Sequence, residues 1–201
     1  MAELANFHDP NTKLPEYDVN KAKALLDEAG LKPGADGIRL KAKIAFINSL
    51  EADRLTATVI KDMLRDVGIQ LDLEPYETAT IGKPVYMDNN FDLHNVGLTS
   101  RGDPSIGLER LYTTAGIGIA FGNGPRYSNP ENDKLWLDAG STADTAKRRE
   151  AFVKIQTLLA KDLPALPLVD RQQWEFSRPG FGGIFKSPYL YYRPNLVFRS
   201  S

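Results

Sequence analysis

Residues 127–168 decide the fold and read YSNPENDKLWLDAGSTADTAKRREAFVKIQTLLAKDLPALPL. Asn129 followed by Pro130 is a favoured helix start, because the asparagine oxygen can cap the first turn and proline suits its first position. Asp144 can cap a second, longer helix that is predicted to run to about Leu163. One face of that helix is marked by Phe152, Ile155, Gln156, Leu159 and Leu163. The proline-punctuated apolar residues 165–176 then predict one or two strands.

Upstream of this stretch, helix and strand patterns alternate. Asp18 can cap a helix over residues 19–29, and Gly30 supplies its stop. Residues 38–47 alternate between apolar and charged side chains, which is the periodicity of a strand. Ser49 is a plausible N-cap for a helix to about residue 67. The predicted buried face of that helix comprises Leu55, Val59, Ile60, Met63, Leu64 and Val67.

A strand over residues 69–73 completes a strand–helix–strand unit, which predicts parallel strands joined by a right-handed crossover. Residues 77–87 form a weaker helical pattern and residues 91–98 a third strand. A short helix over 105–112, an irregular glycine-rich segment over 114–125, a turn region over 179–188 and a last strand over 196–199 are also predicted. Because helices and strands interleave, the fold class is α/β with a largely parallel sheet.

The composition of the chain excludes several classes of partner and binding site. The 201 residues carry a net charge of −1 with scattered lysine and arginine, so nucleic acid is not an expected partner. No apolar run approaches the ~20 residues of a membrane span. The absence of cysteine excludes disulfides and thiolate metal sites. Residues 1–17 are polar, predict an extended lead-in and lack the pattern of a signal peptide, which by itself argues for the cytoplasm.

Catalytic patterns are missing from the sequence. Only His8 and His94 are present, and neither has partners at the spacing of a metal site or a general base. His94 lies in an alternating strand, where a solvated or hydrogen-bonded side chain is expected. The glycine segments 116–120 and 122–125 lack a nucleotide-binding context. We therefore expect no catalytic residue, no metal and no cofactor.

One loop has the composition of a binding site. Residues 99–104 follow the third predicted strand, and ligands of open α/β sheets sit beyond the carboxyl ends of strands. Ser100 and Arg101 would put a hydroxyl and a permanent cation there, and arginine can bind a carboxylate or phosphate through two hydrogen bonds. A solvated Arg101 and a plain turn, with Asp103 capping the next helix, remain the alternative.

Aromatic residues crowd the C-terminal region. They are Trp174, Phe176, Phe181, Phe185, Tyr189, Tyr191 and Tyr192. Such clusters either close a core or hold a ligand or partner surface, and the sequence leaves both open.

Five segments in register resemble the C-terminal lobe of family 5 extracellular solute-binding proteins, the peptide- and nickel-type receptors of ABC importers. They are LPEYDVNKAKALLDEAGLKPGADGIRL from residue 14, residues 59–73 around Val67-Gly68-Ile69, Phe91-Asp92-Leu93, the Arg101-Gly102-Asp103-Pro104 loop and the opening stretch 127–168. The resemblance implies a periplasmic-binding-protein-like lobe with a mixed, largely parallel sheet and helices on both faces. It also implies one domain over 1–201, with 177–201 near the hinge.

The resemblance further implies partners and a compartment. A small-molecule solute would be gripped together with an N-terminal lobe absent from this chain and delivered to an ABC permease in the inner membrane. The full-length protein would be periplasmic, and this chain an excised fragment with an added Met1.

Departures from the family pattern concern the ligand. Dipeptide receptors of the family carry an Asp at the position of Ser100, an Arg near Ile47, a Tyr at Ser49 and a Trp near Thr78. Their absence implies a different solute, anionic or polyhydroxylated. The expected ligand-binding residues are Arg101, Ser100, Thr99, Asp103, Ser49 and Thr78.

Three functions follow in order of preference. The first is the binding lobe of an importer for a peptide-like, opine-like or oligosaccharide solute. The second is a stand-alone protein-interaction domain on the same scaffold, using its aromatic C-terminal surface. The third is a hydrolase that uses an aspartate and His94.

Overall fold

A computed structural model describes residues 6–97, 103–169, 178–182 and 198–199. Its centre is a three-stranded parallel sheet in the order β2–β1–β3. The strands are β1 (Leu40–Ile47), β2 (Ile69–Tyr76) and β3 (Leu93–His94). Helix α1 (Val19–Glu28) precedes β1, and helix α2 (Glu51–Arg65) connects β1 to β2. The predicted strand–helix–strand unit with parallel strands is confirmed, and the third strand is shorter than the predicted 91–98.

The β1 strand is buried on both faces at its C-terminal half, where Ile44, Ala45, Phe46 and Ile47 are all 5% exposed or less. The even-numbered pair packs with Ala57 of α2 and Leu71 of β2. The odd-numbered pair packs on the other face with Ile81, Val85 and Tyr86. The predicted alternation therefore ends at residue 44, as expected for the middle strand of a parallel sheet covered on both sides.

The face of helix α2 that packs against the sheet differs from the face predicted from the sequence. Ala57 is fully buried, and Ile60 and Leu64 pack beside it. The predicted members Leu55, Val59 and Met63 are 51%, 56% and 48% exposed, so this part of the prediction is wrong. The reason is that α2 carries apolar residues on two sides, and its short Ala57 lets it approach the sheet closely.

The other face of the sheet is covered by residues 77–88. A single wide helical turn, Gly82–Met87, replaces the longer helix predicted over 77–87. Val85 and Tyr86 from this turn reach the sheet, together with the partly buried Phe91. Segments on both faces of a parallel sheet confirm the α/β class.

Beyond the sheet, helix α3 (Glu109–Tyr112) is followed by the antiparallel pair α4 (Pro130–Gly140) and α5 (Thr145–Asp162). The described part of the C-terminal region adds a short antiparallel ladder of β4 (Phe181–Gly182) and β5 (Phe198–Arg199). Residues 165–169 form no strand, and 170–176 lie outside the described residues. The glycine-rich segment is irregular as predicted, with one short turn of 3₁₀-helix at Thr114–Gly116.

Helices α4 and α5 enclose a second core, formed by Trp136, Ala139, Ala151, Phe152 and Ile155. The lead-in docks on it: Phe7 packs edge-on against Phe152 with ring centroids 5.0 Å apart. Gln156 fixes the same segment, since its Nε2 donates to the Phe7 carbonyl at 2.7 Å and its Oε1 accepts from the Asp9 amide at 3.1 Å. Residues 6–12 are therefore part of the fold.

Three of the four predicted helix caps are confirmed. Asp18, Asn129 and Asp144 each accept hydrogen bonds from amides of the first turn. Ser49 is not a cap, because α2 begins after Leu50 and has no side-chain cap. The glycine stop after α2 is confirmed: Gly68 has φ +86°, and a Cβ there would meet the Gly37 carbonyl oxygen at 2.9 Å.

Candidate functional site

The carboxyl ends of β1 and β2 bring two predicted ligand residues to one edge of the sheet. Ile47 and Tyr76 are register partners, and the Asn48 amide continues the ladder by donating to the Tyr76 carbonyl at 2.9 Å. Ser49 and Thr78 each lie two residues beyond this pair, in exposed turns. Because the strands are parallel, both hydroxyls belong to the same edge, the position at which open α/β sheets bind ligands.

The third strand ends at the same edge through Asn95. Its amide donates to the Ala45 carbonyl at 2.9 Å, and its Nδ2 donates to the Asp53 carbonyl at 2.7 Å. Asp53 lies in the first turn of α2 and is 3% exposed. Asn95 thereby ties β3 to the start of α2 immediately before the predicted ligand loop. This role of Asn95 is not predictable from the sequence, because an asparagine after a strand has no distinctive pattern.

Thr99, Ser100 and Arg101 lie outside the described residues, as do Trp174, Phe176, Phe185, Tyr189, Tyr191 and Tyr192 of the aromatic cluster. Asp103 is described and has a defined environment. Its Oδ1 accepts from the Ser105 amide at 2.9 Å, from the Ser105 hydroxyl at 2.6 Å and from Arg148 Nη2 at 2.5 Å. The hydrogen bond from Arg148, aided by those from Ser105, holds the pKa of Asp103 below its ordinary value.

Asp103 therefore forms a turn around Ser105 and does not cap a helix, since α3 begins only at Glu109. The predicted turn at Asp103 is therefore confirmed, and the prediction that Asp103 caps the following helix is wrong. All of its hydrogen bonds from described residues go to Oδ1. Oδ2 accepts no hydrogen bond from a described residue.

Arg148 is a structural residue that the sequence did not reveal. Besides Asp103 and Ser105, its guanidinium contacts the Ala139 carbonyl through Nε at 3.1 Å. It also lies over the Phe7 ring, 5.1 Å from the centroid. These contacts join the lead-in, the segment after the ligand loop and the end of α4. Asp103, Ser105 and Phe7 lie 45, 43 and 141 positions from Arg148 in sequence, so no local pattern indicates these contacts.

His94 is enclosed by aromatic rings rather than by polar partners. It packs edge-on against Tyr86 at 5.4 Å and against Phe91 at 5.9 Å between ring centroids. Its Nε2 is buried without a hydrogen-bond partner, and burial lowers its pKa to about 4. We expected the His94 side chain to be solvated or hydrogen-bonded, and for Nε2 this prediction is wrong. A neutral, apolar environment of this kind supplies neither a metal ligand nor a proton acceptor at a surface.

Across the described ranges, no group of three or more acidic or histidine side chains is placed to hold a metal ion. Within the same ranges, none of the helices has the length and apolar character needed to traverse a bilayer.

Comparisons with known proteins agree with this architecture. The family model "Bacterial extracellular solute-binding proteins, family 5 Middle" matches residues 2–118. The peptide transport periplasmic protein SapA of Salmonella typhimurium is 28% identical over 187 residues, which cover 90% of this chain and 33% of the relative. The chain thus spans about a third of the length of the curated relatives that it matches.

Two solved structures extend the comparison. HbpA2 from Haemophilus parasuis superposes with a TM-score of 0.76 at 23% identity, over 97% of this chain and 38% of its own, which supports the fold. The periplasmic binding protein DppA from Helicobacter pylori, solved with the peptide STSA, gives a TM-score of 0.68 at 26% identity over 78% of this chain and 30% of its own. With the family model covering more than half of its residues, the chain belongs to family 5 of the bacterial extracellular solute-binding proteins.

Proposed function

We propose that this chain is the C-terminal ligand-binding lobe of the substrate-binding component of an ABC importer. It closes on a small polar solute together with an N-terminal lobe of the same receptor, and the receptor delivers the solute to a permease in the inner membrane. The full-length protein is periplasmic in this proposal. The observation that carries it is the parallel register of β1 and β2 in a family 5 chain, which brings the turns that contain Ser49 and Thr78 to the same edge of the sheet.

The proposed solute is anionic or polyhydroxylated rather than a zwitterionic dipeptide. Ile47, near the position where dipeptide receptors carry an arginine, is 5% exposed and packs in the core. Ser49 and Thr78 offer neutral hydroxyls at the same edge. Arg101 is the proposed cationic contact, with Ser100 and Thr99 as hydrogen-bonding neighbours and Asp103 contributing Oδ2. Residues 44–50, at the carboxyl end of β1 and in its turn, contain no charged side chain that could pair with a charged end of a dipeptide.

Binding without chemistry is part of the proposal. Solute-binding receptors act by closing two lobes, which is a population shift that the bound solute stabilises. The isolated chain supplies only one wall of such a cleft. We therefore expect its affinity for the transported solute to be weak or undetectable.

Calorimetry on the full-length receptor tests the proposal, with dialanine, glutarate and maltotetraose as probes. We expect one of the latter two to bind and dialanine to bind more weakly. Arg101→Gln should weaken binding of the anionic probe roughly 30-fold or more, the usual loss for a desolvated charge pair. Arg65→Gln, on the exposed end of α2, is the matched control and should leave it unchanged. Micromolar binding of dialanine by the isolated 201-residue chain would contradict the proposal.

A further inference from the structure

We propose that residues 120–126 act as a latch that docks one unit of this lobe on the other and thereby positions the predicted ligand loop. The sheet unit comprises α1, α2 and the three parallel strands, within residues 18–97. The helical unit comprises the lead-in residues 6–12 and residues 103–162, with α4 and α5 enclosing a core of their own. The positioning role rests on the proposed function, because it concerns the same site.

The base of the latch is fixed to the helical unit. Thr114 precedes the latch and donates to both carboxylate oxygens of Asp133 in α4, through its amide at 2.9 Å and its hydroxyl at 2.6 Å. Tyr127 follows the latch and donates its hydroxyl to Asp162 Oδ2 at the end of α5, at 2.7 Å. The fully buried Asn123 closes the segment, since its Nδ2 donates to the Tyr127 carbonyl at 2.7 Å. The latch therefore belongs to the helical unit.

The tip of the latch reaches the sheet unit at two places. Phe121 packs against the core that Tyr86 shares with β1, and the two ring centroids are 5.3 Å apart. Arg126 Nη2 donates to the carbonyl of Met87, the last residue of the wide helical turn, at 2.7 Å. Across the described ranges, the hydrogen bonds and ring contacts between the two units come from Phe121 and Arg126. These two side chains therefore carry much of the docking.

Both docking residues have a strained backbone. Phe121 has φ +57° and Arg126 has φ +56°, in the left-handed region that residues other than glycine seldom adopt. Strain of this kind persists only where surrounding contacts hold it, and it is concentrated at clamps and switch regions. Here it coincides with the two residues that cross between the units. The contacts stabilise the docked arrangement while the backbone opposes it, so loss of a contact should release the latch.

The predicted ligand loop, residues 99–104, connects the two units in sequence. Its entry is tied to the sheet unit, because Asn95 Nδ2 donates to the Asp53 carbonyl at 2.7 Å. Its exit is tied to the helical unit, because Arg148 of α5 donates to Asp103 Oδ1 at 2.5 Å. The placement of one unit relative to the other therefore sets the distance between the two anchors of the loop. A docked latch holds that distance at one value.

Distances between spin labels on the two units test the latch. The chain contains no cysteine, so Thr58→Cys on α2 and Lys147→Cys on α5 place one label at an exposed position of each unit. We expect double electron–electron resonance on the 201-residue chain to give one narrow distance distribution. Arg126→Ala should broaden that distribution or add a second distance, because the hydrogen bond between the units is lost. Phe121→Ala should have a larger effect, because it removes the apolar contact.

Two further variants control the distance measurement. Arg126→Lys can still donate to the Met87 carbonyl and should restore most of the narrow distribution, while Arg54→Ala removes an exposed arginine of α2 and should leave the distribution unchanged. Circular dichroism checks that each variant keeps the helical signal of the wild type. Because Arg126 is exposed, its variants decide the outcome even if Phe121→Ala unfolds the chain. An unchanged distribution in Arg126→Ala, or equal broadening in Arg54→Ala, would overturn the latch.

Calorimetry on the full-length receptor tests the positioning role, with glutarate and maltotetraose as the probes. Arg126→Ala should weaken binding of the probe that the wild type binds several-fold, and Arg126→Lys should recover most of that loss. Unchanged affinity in Arg126→Ala, despite a broadened distance distribution, would overturn the positioning role. If neither probe bound the wild-type receptor, the proposed function and the positioning role would fail together, while the spin-label distances would still decide the latch.

Discussion

Arg148 Nη2 lies 2.5 Å from Asp103 Oδ1, which joins the fourth residue of α5 to the segment that follows the predicted ligand loop. The arginine side chain is 16% exposed and the aspartate 29%. In this partly buried setting the pair is shielded from water more than a surface ion pair. It also connects the second core with the region beyond β3.

We predict that Arg148→Gln lowers the free energy of unfolding by roughly 2–3 kcal/mol, because Asp103 loses a charged hydrogen-bond donor while remaining partly buried. Urea denaturation measures this. Arg149→Gln is the matched control: Arg149 reaches the Asn6 and His8 carbonyls from the exposed side of α5, so its loss should cost less than about 1 kcal/mol. Equal effects of the two substitutions would refute the structural role of Arg148.

A second prediction concerns Asn123, which is fully buried and holds the glycine-rich segment. Its Nδ2 donates to the Thr113 and Tyr127 carbonyls at 2.9 and 2.7 Å, and its Oδ1 accepts from the Tyr127 amide at 3.0 Å. Asn123→Ala should destabilise the chain by roughly 2–4 kcal/mol, since it strands three backbone groups.

Asn90→Ala is the control for that measurement. Asn90 is exposed and its side chain accepts from Lys43 Nζ at 2.7 Å, so its removal should cost less than about 0.5 kcal/mol. Thermal or urea unfolding of both variants distinguishes them. A loss at Asn123 no larger than at Asn90 would mean that the buried network contributes little.

Local sequence signals predicted the parts of the fold that depend on local chemistry. Asp18, Asn129 and Asp144 were identified as caps because each side-chain oxygen needs only amides two or three residues ahead. The parallel strand pair followed from strand–helix–strand spacing. Ser49 and Thr78 were named as ligand residues only from the family resemblance, and the parallel register brings their turns to one edge of the sheet.

The remaining features depend on contacts between distant segments. Arg148 meets Phe7 and Asp103, and His94 meets Tyr86 and Phe91, only after the chain has folded. The buried side of α2 could not be read from periodicity, because Leu55, Val59 and Met63 form an apolar stripe of their own. Ala57, the residue at the contact, is too small to dominate a hydrophobic pattern.

Neighbouring residues of α2 test that corrected face. Ile60→Ala should cost about 2 kcal/mol, because Ile60 packs on the core of Ile44, Phe46 and Leu71. Val59→Ala should change stability by less than about 0.5 kcal/mol, because Val59 is 56% exposed and alanine favours a helix. Urea denaturation compares the two in one host. A larger loss of stability in Val59→Ala than in Ile60→Ala would instead support the buried face predicted from the sequence.

The last prediction concerns acid stability and His94. Burial lowers its pKa in the folded chain to about 4 from an ordinary value of 6.5. The unfolded chain therefore binds a proton first as the pH falls, and the folded state loses stability between pH 6.5 and about 4. A shift of this size corresponds to at most about 3 kcal/mol. Below that window, Asp103 adds its own loss, because its folded pKa is lowered and its stabilisation disappears as its carboxylate is protonated.

His94→Leu removes the titrating group while keeping an apolar side chain among Tyr86 and Phe91. We expect the free energy of unfolding of this variant to be flatter than that of the wild type between pH 6.5 and 4, measured by urea denaturation at closely spaced pH values. His8→Leu changes an exposed histidine of the lead-in and should retain the wild-type slope. If His94→Leu kept that slope as well, burial of His94 would not be the cause of the acid sensitivity.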